Sequence, residues 1–400
     1  MANQKTATHG ATGMGSIRQI SLEKNGKTYT YWQGRISVGF DLGTGKQIQR
    51  SFSCKTQKEA REKLREITHE LDIGSYMEPC KLSLGEWLDT WTQEYLGGVK
   101  PRSVEIYKRY CRLYIKPKLA AVKLDELDTG MIQNMYNELM KEKNLAPKTI
   151  KCLHGVLHKA LKQAMANGLI RANPSDACVL PRCEKVEMHP LDEQDITAFL
   201  KQIKGDPYEN LMIVTLFTGM REGEILGLKW DCVDFRRGLI TIKRQLQRFE
   251  PTKPGEAYEC RLCETKNSRD RVLTPAMSVM TALARQRTLQ NEMKEKAGSA
   301  WQDNGFVFTN ALGGHEATWN IYRHYKNAVS AIGRPDARFH DMRHSYAVAA
   351  IQSGDDIKTV QSNLGHATAA FTLDVYGHVT DQMKRESANR MEMFFQSVSV

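Results

Sequence analysis

The sequence predicts a multidomain, mainly α protein with small β-sheets, an α+β chain built of successive modules. Three observations predict it. Strand-period alternation fills residues 17–52 and then stops. Helical periodicity with capping residues dominates from 56 to 172. Beyond about 190 the two periods mix, with strand-rich segments at 239–248, 257–265 and 270–274 set among helices. A length of 400 residues leaves room for two or three domains, and 41% hydrophobic with 26% charged residues argues for packed cores over wholesale disorder.

Residues 1–15 read as a flexible tail, polar and glycine-rich, without the apolar core of a secretory signal. Its glycines lack the preceding strand and the following Gly-Lys-Ser/Thr of a phosphate loop, so no nucleotide site is read there. Residues 16–75 form a small module. Asn25-Gly26 separates two alternating runs, the strongest short hairpin signal; a second turn at 41–46 leads to a third strand, and Thr56 caps a helix with Ala60, Leu64, Ile67 and Leu71 on one face. Residues 80–172 read as four helices: 84–95, one opened by Ser103, one opened by Thr129, and one with Pro147 in its first turn. In that last helix Ile150, Leu153, Leu157 and Leu161 form the apolar stripe. Lys148, Lys151, Lys159 and Lys162 lie on a different face around Gly155. This is either an ordinary solvated face or one that contacts phosphates. Residues 173–188 read as a linker, and 189–400 as a mixed domain ending in a helix near 380–396.

Charge is unevenly placed. The chain carries 57 Lys+Arg against 46 Asp+Glu; residues 1–184 hold 29 basic and 19 acidic side chains, residues 185–400 hold 28 and 27. Such an excess in the leading modules points to a polyanionic partner, nucleic acid or acidic lipid. The most apolar stretch, 211–217, is far too short to span a bilayer, which takes about 20 residues. Nine cysteines without framework spacing fit reduced thiols, hence a cytoplasmic protein.

Four segments of the mixed domain carry chemistry. In LFTGMREGEILGLKWDCVDF (216–235) a helix breaks at Thr218-Gly219; Arg221 then opens the next, with Glu224 three residues on. The spacing lets the carboxylate buttress the guanidinium for bidentate phosphate recognition, although such a pair alone also reads as a surface ion pair. In ETKNSRDRVLTP (264–275) two β-like runs flank Asn267-Ser268, which puts Lys266 at a hairpin tip, free to reach a site and donate a proton. In RFHDMRHSYAVAAI (338–351) His340 and Arg343 share a helix face. In NLGHATAAFTLDVYGHV (363–379) Gly365 frees the backbone for His366 to turn inward, and Tyr376 follows. As a nucleophile Tyr376 would need a base and neighbouring cations; alone it also reads as a core residue.

In that order, Arg221, Lys266, His340 with Arg343, His366 and Tyr376 resemble the catalytic set of the tyrosine recombinases, the lambda-type phage integrase family. The flanking words TGMREGEILGLKW, HDMRHSYA and LGHA match as well, over about residues 188–380. The layout ahead of them is most like the integrases of conjugative transposons. The resemblance implies a β-rich module binding arm-type DNA sites, a helical module on the core site and a catalytic domain of the recombinase type. It implies that Tyr376 attacks a scissile phosphate to leave a 3′-phosphotyrosyl link, that Arg221 and Arg343 neutralise the non-bridging oxygens, and that Lys266 protonates the departing 5′ oxygen. His340 would assist proton transfer at the tyrosine and His366 would hydrogen-bond the phosphate. No metal, nucleotide or other cofactor is implied. The expected partners are double-stranded DNA with core-type and arm-type attachment sites, further copies in a tetramer, and an excisionase or DNA-bending accessory protein; no membrane is expected. Two other readings share the residues: a type IB topoisomerase-like relaxing enzyme, and a non-catalytic DNA-binding regulator on the same fold.

Two features exceed a minimal family core. Residues 244–263 are longer than a tight hairpin needs and read as a protruding β-insertion, within which Cys260 and Cys263 have either metal-ligand spacing or simple strand alternation. The terminal helix, with Met383, Ala388, Met391, Phe394 and Phe395, either folds back on its own core or docks on another subunit.

Overall fold

The computed structural model describes residues 8–9, 15–24, 27–40, 43–74, 76–77, 80–184, 189–251, 258–265, 270–365 and 380–398. Contacts divide the chain into two units, 1–183 and 184–400.

The first unit begins with an antiparallel sheet in the order β1 (Thr8–His9), β2 (Ser16–Lys24), β3 (Lys27–Phe40), β4 (Gln47–Cys54). Lys24 pairs with Lys27, so the strands are joined through Asn25-Gly26 as the alternation predicts. Helix α1 (Gln57–Asp72) starts where Thr56 accepts a hydrogen bond from the Glu59 N–H at 3.2 Å, and it packs on β3 with Ala60, Ile17 and Ile36 buried. Gly34 lets the Phe52 ring lie over that strand, since a Cβ there would stand 2.2 Å from the ring and displace it. The expected tail departs from its reading at one place: Thr8 and His9 pair with Ile17 and Ser16. Two residues thereby cover an edge of β2 that would otherwise present unpaired backbone groups.

A helical module follows: α2 (Leu84–Glu94), α3 (Pro101–Tyr110), α4 (Lys116–Leu119), α5 (Thr129–Glu142) and α6 (Pro147–Ala166). Ser83 and Glu86 close a capping box on α2, with the Ser83 N–H donating to the Glu86 carboxylate at 2.8 Å. The second helix begins at Pro101 rather than Ser103, since proline suits a first turn where no N–H partner is needed. It runs on through a π-helical turn at Cys111–Ile115 into α4. Pro117 explains that turn: it has no N–H to give the Leu113 carbonyl, and an inserted residue relieves the clash of its ring with the preceding turn. The core is formed by side chains such as Trp87, Leu88, Ile132, Leu139, Leu153 and Leu157, and the Trp87 indole N–H donates to the Ala160 carbonyl at 2.9 Å. Residues read as the start of an extended linker are strapped to this module. The Thr129 hydroxyl donates to the Pro174 carbonyl at 2.7 Å, and the Val179 N–H donates to Gln133 at 2.8 Å.

In the second unit, α7 (Glu193–Gln202), α8 (Glu209–Thr218), α10 (Met277–Ala297), α11 (Thr318–Ala331) and α12 (Asp341–Gln352) surround a core that includes Phe199, Val214, Leu283, Tyr325 and Phe339. Short α9 (Glu222–Leu226) follows α8. A three-stranded sheet runs β5 (Val233–Asp234), β6 (Leu239–Ile242), β9 (Arg271–Leu273), and a separate ribbon pairs β7 (Arg244–Phe249) with β8 (Glu259–Glu264). Helix α13 (Ile357–Leu364) and the tail helix Thr380–Val398 complete the unit.

The strand pairing differs from a hairpin made by the two runs that flank Lys266. The runs on either side of it do not pair with each other: β8 pairs with β7 and β9 with β6. Ile242 faces Arg271 and Arg244 faces Glu264, so a two-residue step on the outgoing strand is matched by a seven-residue step on the return. Lys266 follows β8 and precedes β9 in sequence. Lys266 itself lies outside the described residues, as do His366 and Tyr376.

Candidate active site

The described part of the site is built around one buried carboxylate. Helix α8 stops at Gly219, whose φ of 62° is left-handed; a Cβ there would lie 2.6 Å from both Leu364 and Tyr346, so only glycine fits. The break turns the chain so that Arg221 becomes the N-cap of α9 and Glu224 its third residue. The carboxylate accepts from the Arg221 N–H at 2.9 Å and from its guanidinium at 2.8 Å. Glu224 is only 1% exposed, so the surface-pair reading does not hold.

Its second partner is not apparent from local spacing. Arg271, on β9, donates Nη1 and Nη2 to Glu224 at 2.8 and 2.6 Å, a bidentate fork. The sequence signal is strand alternation: Arg271 shares the inward face with buried Leu273 while Val272 points out, and a cation on the inward face of a strand must be paired. Burial works against ionisation of Glu224, but the Arg271 hydrogen bonds and then the charges of Arg271 and Arg221 outweigh it and hold the carboxyl at about 2.

Arg343, in the first turn of α12, is buried and donates to the Gly219 and Leu364 carbonyls, both at 2.6 Å. His340 stands at the N-terminus of the same helix. Part of its surface reaches solvent, yet desolvation, followed by the charge of Arg343, lowers its pKa below 6.5. Its neighbour His344, with ring centroids 5.1 Å apart, is pushed down to about 4 by burial and then by His340. Both imidazoles are thus neutral near pH 7 and able to accept a proton.

The arginines converge on the last carbonyls of α13. Arg271 Nε donates to Asn363 at 2.9 Å, Arg343 to Leu364, and Arg221 to Gly365 at 3.3 Å. Among the described residues, three guanidiniums and one carboxylate gather at the end of α13, just before His366 in sequence. The structure thus brings Arg221, Glu224, His340 and Arg343 together.

In the helical module, Lys148, Lys151, Lys159 and Lys162 are placed along one stripe of α6. Lys159 donates to the Tyr107 hydroxyl at 2.9 Å. A Cβ at Gly155 would meet nothing within 4 Å, so no internal packing explains a glycine that costs the helix about 1 kcal/mol. On β8, Cys260 and Cys263 are three residues apart and therefore point to opposite faces of the ribbon, which removes the metal reading. Among the described residues no group of three or more His, Cys, Asp or Glu side chains is placed to hold a metal, and no helix is long and apolar enough to cross a membrane.

The described site is a mixed domain in which guanidiniums converge around one buried carboxylate and the end of a helix. Comparison with known proteins places the chain in a family. The phage integrase family matches residues 190–383, and the phage integrase N-terminal SAM-like domain matches 83–140. A tyrosine recombinase XerC-like protein of Caldanaerobacter subterraneus subsp. tengcongensis is 30% identical over 94% of this chain and 99% of its own length. The ICEBs1 integrase of Bacillus subtilis is 23% identical over 90% of this chain and 96% of its own. Among solved structures, the Tn1549 transposon integrase in complex with a circular intermediate DNA superposes with a TM-score of 0.63, at 22% identity, over 78% of this chain and 100% of that one. A lambda integrase dimer bound to a core site gives 0.53, at 18% identity, over 89% and 94%.

The chain belongs to the phage integrase family of tyrosine recombinases. It is a tyrosine-type site-specific recombinase of the kind that mobile elements carry.

Proposed function

We propose that the protein cuts and rejoins DNA at attachment sites of a mobile element, for integration and excision, through Tyr376. The phenol oxygen attacks the scissile phosphorus, the bond to the 5′ oxygen breaks, and a 3′-phosphotyrosyl link remains with a free 5′-hydroxyl. Arg221 and Arg343 neutralise the non-bridging oxygens, Lys266 gives the leaving oxygen its proton, His340 takes the proton of the tyrosine, and His366 hydrogen-bonds the phosphate. The observation that carries this reading is the convergence of Arg221 and Arg343 on Leu364 and Gly365, immediately before His366. The phosphotyrosine conserves bond energy for ligation, so neither nucleotide nor metal is required. The test is trapping on a nicked duplex carrying the core site, with and without chelator: a covalent protein–DNA adduct is expected in both. No adduct would sink the reading. Relaxation of a plasmid without attachment sites, with no joint molecules, would favour a topoisomerase.

Residues 80–172 are the core-site module in this reading, with the α6 lysine stripe against the backbone and Gly155 permitting close approach. Each phosphate contact contributes about 0.9 to the slope of log K against log salt, so replacing Lys148, Lys151, Lys159 and Lys162 by alanine flattens the slope by roughly 3 to 4. Core-site binding measured across a salt series checks this, and an unchanged slope removes the stripe from the interface.

Residues 16–75 are the arm-site module. On the sheet face away from α1, Arg18 is held by Gln33 at 2.8 and 3.0 Å, and Arg35 shares that face. A guanidinium braced by an amide is prepared for a base edge. Replacing Arg18 and Arg35 by alanine weakens arm-site binding by roughly 10- to 100-fold for each base edge no longer read, and leaves core-site cleavage unchanged. Equal arm-site affinity refutes the assignment.

The tail helix exposes Met391, Phe394, Phe395 and Val398 along one stripe, which supports docking on another copy in a tetramer rather than folding back. A lambda integrase tetramer bound to a Holliday junction has a related fold.

A further inference from the structure

We propose that Arg271 is a positioning residue for strand cleavage: one guanidinium that locks the carboxylate orienting Arg221 and the end of α13 into a single plane. The inference rests on the reading of Arg221 and His366 as phosphate-binding groups. Three of the five N–H groups of Arg271 are committed in the described structure, two to Glu224 and one to the Asn363 carbonyl. A guanidinium is flat, so these three bonds fix where the carboxylate stands relative to the backbone that leads to His366. The side chain is only 11% exposed and three of its N–H groups are held by protein, so Arg271 acts on the reaction through Glu224 and not by touching DNA.

Its surroundings are shaped to it. A Cβ at Gly365 would lie 3.2 Å from the Arg271 Cδ, so the glycine lets the chain pass close over the arginine stem. Leu273, two residues on, is buried and anchors the strand; Lys266 lies five residues before Arg271 in sequence. Arg271 thus stands where three segments meet: α9 with Arg221, the return strand after Lys266, and α13 before His366. The C-terminal end of a helix carries partial negative charge, so α13 draws the guanidinium from one side and Glu224 from the other. Lysine keeps the charge but cannot make a planar fork.

A purely structural ion pair makes a different prediction, because its loss lowers stability and leaves folded molecules cleaving at the parental rate. The experiment is single-turnover adduct formation on the nicked core-site duplex by the full chain, with Arg271→Lys read at saturating DNA. Misplacing a phosphate-binding group by about 1 Å costs on the order of 100-fold, so that loss is expected in the rate, with the half-saturating DNA concentration unchanged. Combined with Glu224→Gln, the loss is expected to be no greater than the larger single loss, because both act on one arrangement. Where Arg271→Lys does not fold, Glu224→Asp keeps the charge but shortens the reach, and is expected to slow cleavage in the same way. A rate for Arg271→Lys within about threefold of the parent, or losses that multiply in the double variant, overturns the proposal. Tyr376→Phe runs beside them. If it is silent while Arg271→Lys cleaves normally, only the Arg271 proposal falls; if it forms adduct, the nucleophile assignment falls instead.

Discussion

Tyr376→Phe is expected to abolish the covalent adduct while leaving the non-covalent complex with core-site DNA intact. Removing the oxygen removes the atom that forms the bond, and water cannot substitute, because its attack would yield a hydrolysed end and no protein–DNA link. Losing a covalent nucleophile costs at least roughly 10⁴-fold, below detection in a trapping gel. Binding is expected to survive because the lysine stripe and Arg221 and Arg343, the groups proposed to hold DNA, remain. A phenol with a pKa near 10 is protonated at neutral pH and needs a base. His340 qualifies through its lowered pKa, whose first cause is desolvation. The sign follows: a base with a depressed pKa is active above that value, so adduct formation should persist below pH 6.5 and fall only as the pH drops through the lowered value. A second tyrosine provides the control. Tyr346 is half-buried, its hydroxyl accepts from the Asn363 amide at 3.0 Å, and desolvation pushes its pKa up, which makes it a poor nucleophile. Adduct from Tyr376→Phe but not from Tyr346→Phe would reverse the assignment.

The residues proposed as catalytic stand out in the sequence because they sit in short words whose order is distinctive; the contacts that support Arg221 do not. Arg221 and Glu224 are three residues apart, a local spacing that can be read directly. Arg271 lies 47 residues beyond Glu224 and reaches it only because β9 pairs with β6 across a long insertion. Register decides such a contact, and composition does not reveal register. The same cause separates the two β-like runs around 267–268: in sequence they read as one hairpin, whereas each has a partner earlier in the chain. The π turn at Cys111–Ile115 shows the reverse case, a departure from regular helix whose cause, Pro117, stands in plain view. The α+β class and the order of strands and helices are readable because periodicity and capping are local properties. Gly223 and Gly227 form another non-local contact: Cβ atoms there would lie 2.8 and 2.7 Å from the backbone of Leu246, so α9 rests directly on β7. The ribbon is thereby braced against the helix that carries Glu224.

Glu224→Gln is the second large effect, and it strikes stability and chemistry together. The amide nearly matches the carboxylate in shape but carries no charge, and one of its two ends is a donor facing an arginine that also donates. Two guanidiniums are then left without their counter-charge around a side chain of 1% exposure. Removing one partner of a buried ion pair costs about 3 to 5 kcal/mol. For a unit of this size each kcal/mol moves the melting temperature by roughly 2 to 4 °C, so a fall of roughly 6 to 20 °C in the catalytic unit is expected. The pH dependence separates this cause from simple loss of packing. The Glu224 carboxyl sits at about 2 in the folded protein against 4.5 for the ordinary group. A depressed carboxyl contributes stability above its unfolded value and loses it as pH falls through the folded one, here a contribution of about 3 kcal/mol. The stability gap between parent and Glu224→Gln should therefore be full above pH 4.5 and shrink steadily as pH falls toward 2, as followed by urea unfolding. A gap that stays constant across that window would mean that the charge of Glu224 does not hold the two arginines, and that shape alone accounts for its burial.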